Sequence, residues 1–338
     1  MTPRPSPVTR RGTAVSRTSA PTHQLHIVSG KGGTGKTVVA AALACALATR
    51  GRRVLLCEVE GRHGIAELFA RPTPTGAEEP RITRTAAGGQ VHGLAIDAED
   101  ALMEYLTTFY HLGIAGRALD KFGVVDFATS IAPGLRDVLL TGKVYEAVRR
   151  RQKGRRDSYD AVVLDAPPTG RLTRFLNVHE AVSGLAKVGP IAKQADSIMA
   201  MLRSPVTVVH LVTMLEDMPV TETAEAMAEL APTGIRVGTV IANRVTPSPL
   251  TTPQLRRARD GESDLDLPML GDADRTALAD EFAGEASRIL AERECRERLT
   301  GLGVPIVEVP REPLGVDLTT LGSIADVLGD QLAEEVNP

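Results

Sequence analysis

The stretch LHIVSGKGGTGKTVVAAALACAL, residues 25–47, decides the fold. Leu25–Ser29 is an apolar run with the length and character of a strand buried on both faces. From Thr37 to Thr49 the chain is Ala-rich and reads as a helix. Between them Gly30, Gly35, Lys36 and Thr37 satisfy the spacing GxxxxGK[ST], with Lys31, Gly32, Gly33 and Thr34 filling the loop. The chemistry explains the spacing. Glycines let backbone N–H groups wrap a phosphate chain without Cβ clashes, and the helix start adds partial positive charge. Lys36 is placed to reach β- and γ-phosphates, and the Thr37 hydroxyl to ligate Mg²⁺. The sequence therefore predicts a Mg-ATP cradle over residues 30–37, with ATP as substrate and Mg²⁺ as cofactor.

Outward from this loop, β-like and helix-like segments alternate. Arg53–Val59, Gln90–Ile96, Ala161–Leu164, Val206–Thr213, Val237–Ala242 and Pro305–Val309 read as strands. Helical patterns occupy 99–151, roughly 172–203, 219–231, 273–299 and 317–334. Strands separated by helices of this length imply βαβ crossovers. The predicted fold is α/β: a doubly wound, mostly parallel sheet flanked by helices. Loops are expected near 71–80 and 246–271, which are rich in Pro, Gly, Ser and charge. Residues 1–24 carry Pro, Ser, Thr and Arg but no acidic residue, and read as a disordered tail. The rest, 25–338, reads as one domain.

The composition agrees with layered α/β structure. Aromatics make up only 3% of the chain and tryptophan is absent, which disfavours an aromatic-rich β-sandwich. A net charge of −3 gives no case for nucleic acid as a partner. Cys45, Cys57 and Cys295 are widely spaced and form no CxxC pair, the usage of a reducing compartment. No run of apolar residues is long enough for a membrane span. A cytoplasmic location is expected, with peripheral attachment to a membrane left open.

Two lysines in one phosphate loop, Lys31 and Lys36, resemble the deviant Walker A group of ATPases, in which the first lysine reaches a partner subunit's nucleotide. The resemblance implies a dimer, either of identical chains or with a paralogue. Asp165 ends an apolar strand and opens Asp165-Ala166-Pro167-Pro168-Thr169-Gly170, which is physically a Walker B strand with a switch loop. Asp165 would hold Mg²⁺ through water. DAPPTGRLTRFL resembles the second switch of the arsenite-pump ATPase ArsA and of the eukaryotic ATPase that targets tail-anchored proteins. Pro133-Gly134-Leu135 with Tyr145-Glu146, and Thr221-Glu222-Thr223, resemble further elements of that family. So does Val240-Ile241-Ala242-Asn243-Arg244, whose asparagine reads adenine there. Pro310-Arg311-Glu312-Pro313 falls where its adenine-covering loop would lie. The resemblance spans roughly residues 25–335 and looks most like the actinobacterial single-loop form. It implies ATP contacts at Asn243, Arg244 and Pro310, and a helical subdomain between the switches, about 99–155 and 178–203.

Departures from the family pattern bear on mechanism. Glu60 stands where the family has the aspartate that positions the attacking water, and Glu58, two residues earlier on the same strand face, is the rival for this role or for an Mg contact. Arg171 replaces the histidine of the second switch, and His63 matches a family histidine. The CxxC that closes the targeting ATPase with zinc is missing, so no zinc is expected. The scattered cysteines cannot form an arsenite cluster. In the targeting ATPase the helices between the switches hold an apolar client. Here Leu102, Met103, Leu106, Phe109, Leu112, Ile114, Leu119, Phe122, Val125, Phe127, Ile191, Ile198, Met199, Met201 and Leu202 either line such a groove for hydrophobic cargo or a membrane protein, or pack as core. The leading expectation is an ATP-hydrolysing dimeric switch with Lys31, Lys36 and Glu60 as its catalytic residues. An ATP-bound scaffold without turnover is one alternative. A positioning ATPase of the ParA/MinD kind is another, disfavoured by DAPPTG and by the acidic last segment Ile324–Val336.

Overall fold

A computed structural model describes residues 23–48, 51–59, 63–72, 78–86, 88–110, 133–155, 157–178, 180, 190–262, 269, 271–313 and 315–332. Among these described residues eight strands form one sheet. They are β1 (Leu25–Gly30), β2 (Arg53–Val59), β3 (Arg81–Arg84), β4 (Gln90–Ile96), β5 (Ala161–Asp165), β6 (Thr207–Thr213), β7 (Val237–Val245) and β8 (Ile306–Pro310). Their order is β3-β4-β2-β5-β1-β6-β7-β8, with every pairing parallel except β3 against β4. The doubly wound, mostly parallel sheet expected from the sequence is thus present.

The helices are α1 (Lys36–Leu47), α2 (Gly64–Leu68), α3 (Ala98–Tyr110), α4 (Pro133–Gln152), α5 (Thr169–Leu176), α6 (Pro190–Leu202), α7 (Asp217–Leu230), α8 (Thr252–Arg259), α9 (Asp272–Thr300) and α10 (Leu318–Gln331). The central strands are covered on both sides, which is why they read as continuous apolar runs. One face packs under α1 and α10, with Val28, Leu43, Leu56, Val163 and Leu328 in its core. The other packs under α4, α5, α6 and α7, with Leu55, Leu140, Leu164, Phe175 and Ile198. Beyond β7, α8 and α9 form a hairpin with a small core of its own at Leu255, Ala258, Ala286, Ile289 and Leu290.

The structure corrects several readings. Two elements were missed near the expected loops: β3 follows 71–80, and α8 lies inside 246–271. His23 and Gln24, read as the end of the tail, belong to the fold. The His23 ring lies 2.6 Å from the Pro205 carbonyl, and the Gln24 N–H donates to Val206. The rest of the tail, 1–22, lies outside the described residues. In the helical region between the switches, Leu102, Ile198, Met199, Met201 and Leu202 are core residues, at most 8% exposed. Leu112, Ile114, Leu119, Phe122, Val125 and Phe127 fall outside the described residues.

Candidate active site

β1 sits mid-sheet between β5 and β6, and the chain leaves it toward opposite edges. This is the topological switch point at which α/β sheets place ligands, beyond the carboxyl ends of the strands. The loop 30–35 emerges there. A Cβ on Gly30 would overlap the Val212 carbonyl of β6, and one on Gly35 would collide with the Asn243 amide, while Gly35 also holds φ at 88°. At Gly32 and Gly33 a Cβ would meet nothing within 4 Å. Close packing therefore demands the outer two glycines. The inner two face open space, and Gly33 holds φ at 85°.

Polar contacts brace the loop from three sides. Thr34 Oγ1 donates to the Lys31 carbonyl at 2.8 Å, and Asn243 Nδ2 donates to the Thr34 carbonyl at 2.8 Å. Ser29 Oγ donates to the Pro167 carbonyl at 2.6 Å, tying β1 to the turn after β5. The Lys36 ammonium, only 8% exposed as a residue, bends back onto the Lys31 carbonyl at 3.2 Å. The N-cap Gly35 supplies no side chain to α1, whose first turn carries no acidic residue. Its first N–H groups are thus aimed at the loop's interior, a ready anion site.

Next to this cradle the Thr37 hydroxyl donates to Asp165 Oδ2 at 2.6 Å. Glu58 pairs in register with Asp165 across β2 and β5 and is 1% exposed. Its Oε2 accepts the Ile65 N–H at 3.1 Å at the start of α2, and its Oε1 has no hydrogen-bond partner among the described residues. Burial raises the Glu58 carboxyl above its usual range, the Ile65 N–H opposes this, and the charge of Asp165 adds to the rise. A hydroxyl, a carboxylate and a second buried carboxylate with an unused oxygen are hard donors. They fit Mg²⁺, which binds few protein ligands and keeps its waters and phosphates. No group of three or more His, Cys, Asp and Glu side chains suited to a metal occurs among the described residues. Glu60 lies outside them.

A cleft of about 520 Å³ opens between the ends of β6 and β7 and the flank of α9; Arg244, Arg288, Arg298 and Arg311 line it together with Glu216, Asp217, Glu292 and Glu294, and with Met214 and Cys295. Arg244 holds φ at 59° where β7 bulges against β8, a conformation rare for a residue with a side chain. Of the three residues expected at adenine, Arg244 lines this cleft. Asn243 holds Thr34 with one amide N–H, which leaves its other N–H and its Oδ1 for a ligand, and next to Pro310 it is Arg311 that faces the cleft. Sequence spacing could not have found Arg288 and Arg298, which α9 brings in from far along the chain. Lys31, by contrast, points away from the cradle and pairs with Glu222 Oε1 of α7 at 2.6 Å. Arg171 is exposed at the start of α5 and His63 precedes α2 with φ at 55°.

Comparison with known proteins identifies the family. Residues 23–207 match the sequence profile of the anion-transporting ATPases. ATPase BagA of Mycobacterium tuberculosis is 50% identical over 317 residues, covering 91% of this chain and 93% of that protein. ATPase GET3 of Kluyveromyces lactis is 27% identical over 184 residues, 50% of this chain and 51% of that one. A protein of Prosthecochloris vibrioformis named as an arsenical pump-driving ATPase is 26% identical over 257 residues, 64% of this chain and 60% of its own.

Proposed function

This chain belongs to the anion-transporting ATPase family, and we propose that it works as a Mg-ATP-driven dimeric switch. The observation that carries the reading is the Thr37–Asp165 hydrogen bond, 2.6 Å long, directly beneath the glycine cradle. It joins the last residue of the phosphate-loop pattern to the carboxylate ending β5, the pairing a Mg-nucleotide site requires. Thr37 and Asp165 would hold Mg²⁺, Asp165 through water. When bound, Mg²⁺ neutralises charge on the phosphate oxygens.

The chain's own residues supply the rest. The N–H groups of 30–37 wrap the phosphates, and Lys36 exchanges the Lys31 carbonyl for β- and γ-phosphate oxygens. Asn243, Arg244 and Pro310 contact the base and sugar, with Arg311 beside them, and one Asn243 N–H steadies the loop through Thr34. Glu60 remains the proposed water-positioning group. Glu58 is set to anchor the first switch, because its Oε2 already holds the N-terminus of α2. Lys31 acts across a dimer interface on the partner's phosphates. Loss of the γ-phosphate then relaxes the turn 165–170 and α5, which packs against α4 and α7 and so passes nucleotide state to a protein or membrane-associated partner.

Arsenite chemistry is not part of the proposal. Cys57 and Cys295 are buried on different elements, and burial pushes the half-buried Cys45 thiol up to about 12, so no thiolate cluster is available. No helix among the described residues is long and apolar enough to cross a membrane. The test is ATP turnover and oligomeric state of the wild type, Lys31→Ala, Lys36→Ala and Glu60→Gln, each with and without Mg-ATP. Lys36→Ala should lose both ATP binding and turnover; unchanged turnover in that variant removes the ATPase reading. Dimers that form only with ATP, and not in Lys31→Ala, are the expected sign of the trans lysine.

A further inference from the structure

The ion pair between Lys31 and Glu222 concerns the one loop lysine that the cradle does not use. Its two side chains are 29% and 32% exposed, and the partners are 191 residues apart in sequence. Folding alone brings them together, since α7 packs on β6 and β6 neighbours β1. A carboxylate of its own chain held at 2.6 Å competes with a partner subunit's phosphate for the Lys31 ammonium. We propose that Glu222 is a positioning residue that latches Lys31 in cis, so that ATP-driven dimer closure must open one latch in each protomer. The proposal rests on the reading above that Lys31 acts in trans.

The mounting of α7 connects the latch to the nucleotide cleft. Its first turn is pinned by Arg298 of α9, which pairs with Asp217 and donates to Thr221 Oγ1 at 2.8 Å. Asp217 and Arg298 both line the cleft, so a nucleotide there touches the anchor of the helix that carries Glu222. Near the other end Thr173 of α5 donates to Glu229 at 3.1 Å, joining α7 to the helix that follows the Asp165 turn. Glu222 therefore sits on an element fixed at one end to the cleft wall and at the other to the second switch. A half-exposed pair is a weak latch, worth a factor of roughly 3 in an equilibrium. Dimer closure opens two, so the predicted effect on association is their product, about tenfold.

The experiment is sedimentation of the full chain with Mg-ATP and with Mg-ADP over a concentration series. The proteins are wild type, Glu222→Gln, Glu222→Ala, Glu222→Asp, Lys31→Ala and Lys31→Ala/Glu222→Gln. Glu222→Gln and Glu222→Ala should dimerise with Mg-ATP at about one-tenth of the wild-type concentration, and Glu222→Asp should return toward wild type. In the Lys31→Ala background, where no ATP dimer is expected, Glu222→Gln should restore none, and the return of Glu222→Asp toward wild type separates the latch from a merely structural role. Unchanged or weaker association in both Glu222→Gln and Glu222→Ala overturns the latch, as does a gain that persists without Lys31. Lys31→Ala dimerising like wild type overturns the trans-lysine reading itself and the latch with it. Loss in Lys31→Ala with no gain in Glu222→Gln overturns the latch alone.

Discussion

At the scale of single residues, Asp165 and Glu58 place two carboxyl groups side by side where burial and mutual repulsion disfavour charge. A fold keeps such a pair where a cation or a reacting group offsets it. Asp165→Asn keeps an acceptor for the Thr37 hydroxyl but loses the charge. Mg-dependent turnover should fall by about 100-fold, while ATP binding in the presence of EDTA is retained. Steady-state kinetics together with fluorescent-nucleotide titration measures both. Glu58→Gln keeps an oxygen for the Ile65 N–H and removes the repulsion. The metal-free protein should become more stable by about 1 kcal/mol, while Mn²⁺ bound with nucleotide is held more weakly. A urea titration and Mn²⁺ resonance spectroscopy measure the two effects, and opposite signs are the expected outcome. A variant less stable and equally able to hold Mn²⁺ would make Glu58 a simple cap for α2. Asp165 was legible because four apolar residues deliver it to the end of a strand. Glu58 was legible only as a rival to Glu60 or an Mg contact, since a two-residue spacing on a strand shows only which face it shares.

Among elements, what the sequence revealed depended on how completely each is buried. β1, β5 and β6 are buried along their whole length and announce themselves as apolar runs. β3 has one buried residue, Ile82, among Arg81, Thr83 and Arg84, and only pairing with β4 makes it a strand. α8 hid in a Pro- and Ser-rich stretch, although its capping box, Thr251 with Gln254, is a readable start signal. The cleft was the least legible part, because its arginines come from β7, α9 and the segment after β8. The elements also need fastening where the sheet edge meets α4. There Glu79 accepts two hydrogen bonds from Arg150, both 2.8 Å, and one from the Tyr159 hydroxyl at 2.7 Å. With the two charged side chains only 15–17% exposed, loss of the carboxylate strands a largely buried guanidinium. Glu79→Ala should destabilise the protein by about 2–3 kcal/mol, read from urea midpoints, with ATP affinity per folded molecule unchanged. A loss below about 0.5 kcal/mol would show the network to be a surface decoration.

For the molecule as a whole, the strands that carry the site also carry a buried row of polar side chains beneath it. His26 of β1 and His210 of β6 are fully buried, their rings stacked 5.4 Å apart with Nδ1 of the first 3.1 Å from Nε2 of the second. His23 meets His26 edge-on, and Thr239 of β7 continues the row opposite His210. Burial holds His26 well below the ordinary histidine range and His210 down at about 3, with the neighbouring histidines adding to the effect. Both rings are neutral in the fold, while in the unfolded chain they take up protons below about 6.5. The unfolded state then binds more protons, so stability is complete above that pH and falls as pH drops toward 3. At pH 5 the cost is about 2 kcal/mol for each histidine, near 4 together, against a typical total of about 5–15. Urea denaturation at pH 7.5 and pH 5 measures it, with His26→Leu/His210→Leu as the comparison. The wild type should lose about 4 kcal/mol more than the double variant over that interval. Equal losses would mean that the rings accept protons inside the fold. Because β1 and β6 also shape the phosphate loop, acid should abolish ATP turnover by unfolding the sheet. Turnover should be gone by the pH at which the wild type melts, and protonation of Glu58, whose carboxyl is raised, should lower turnover per folded molecule before that.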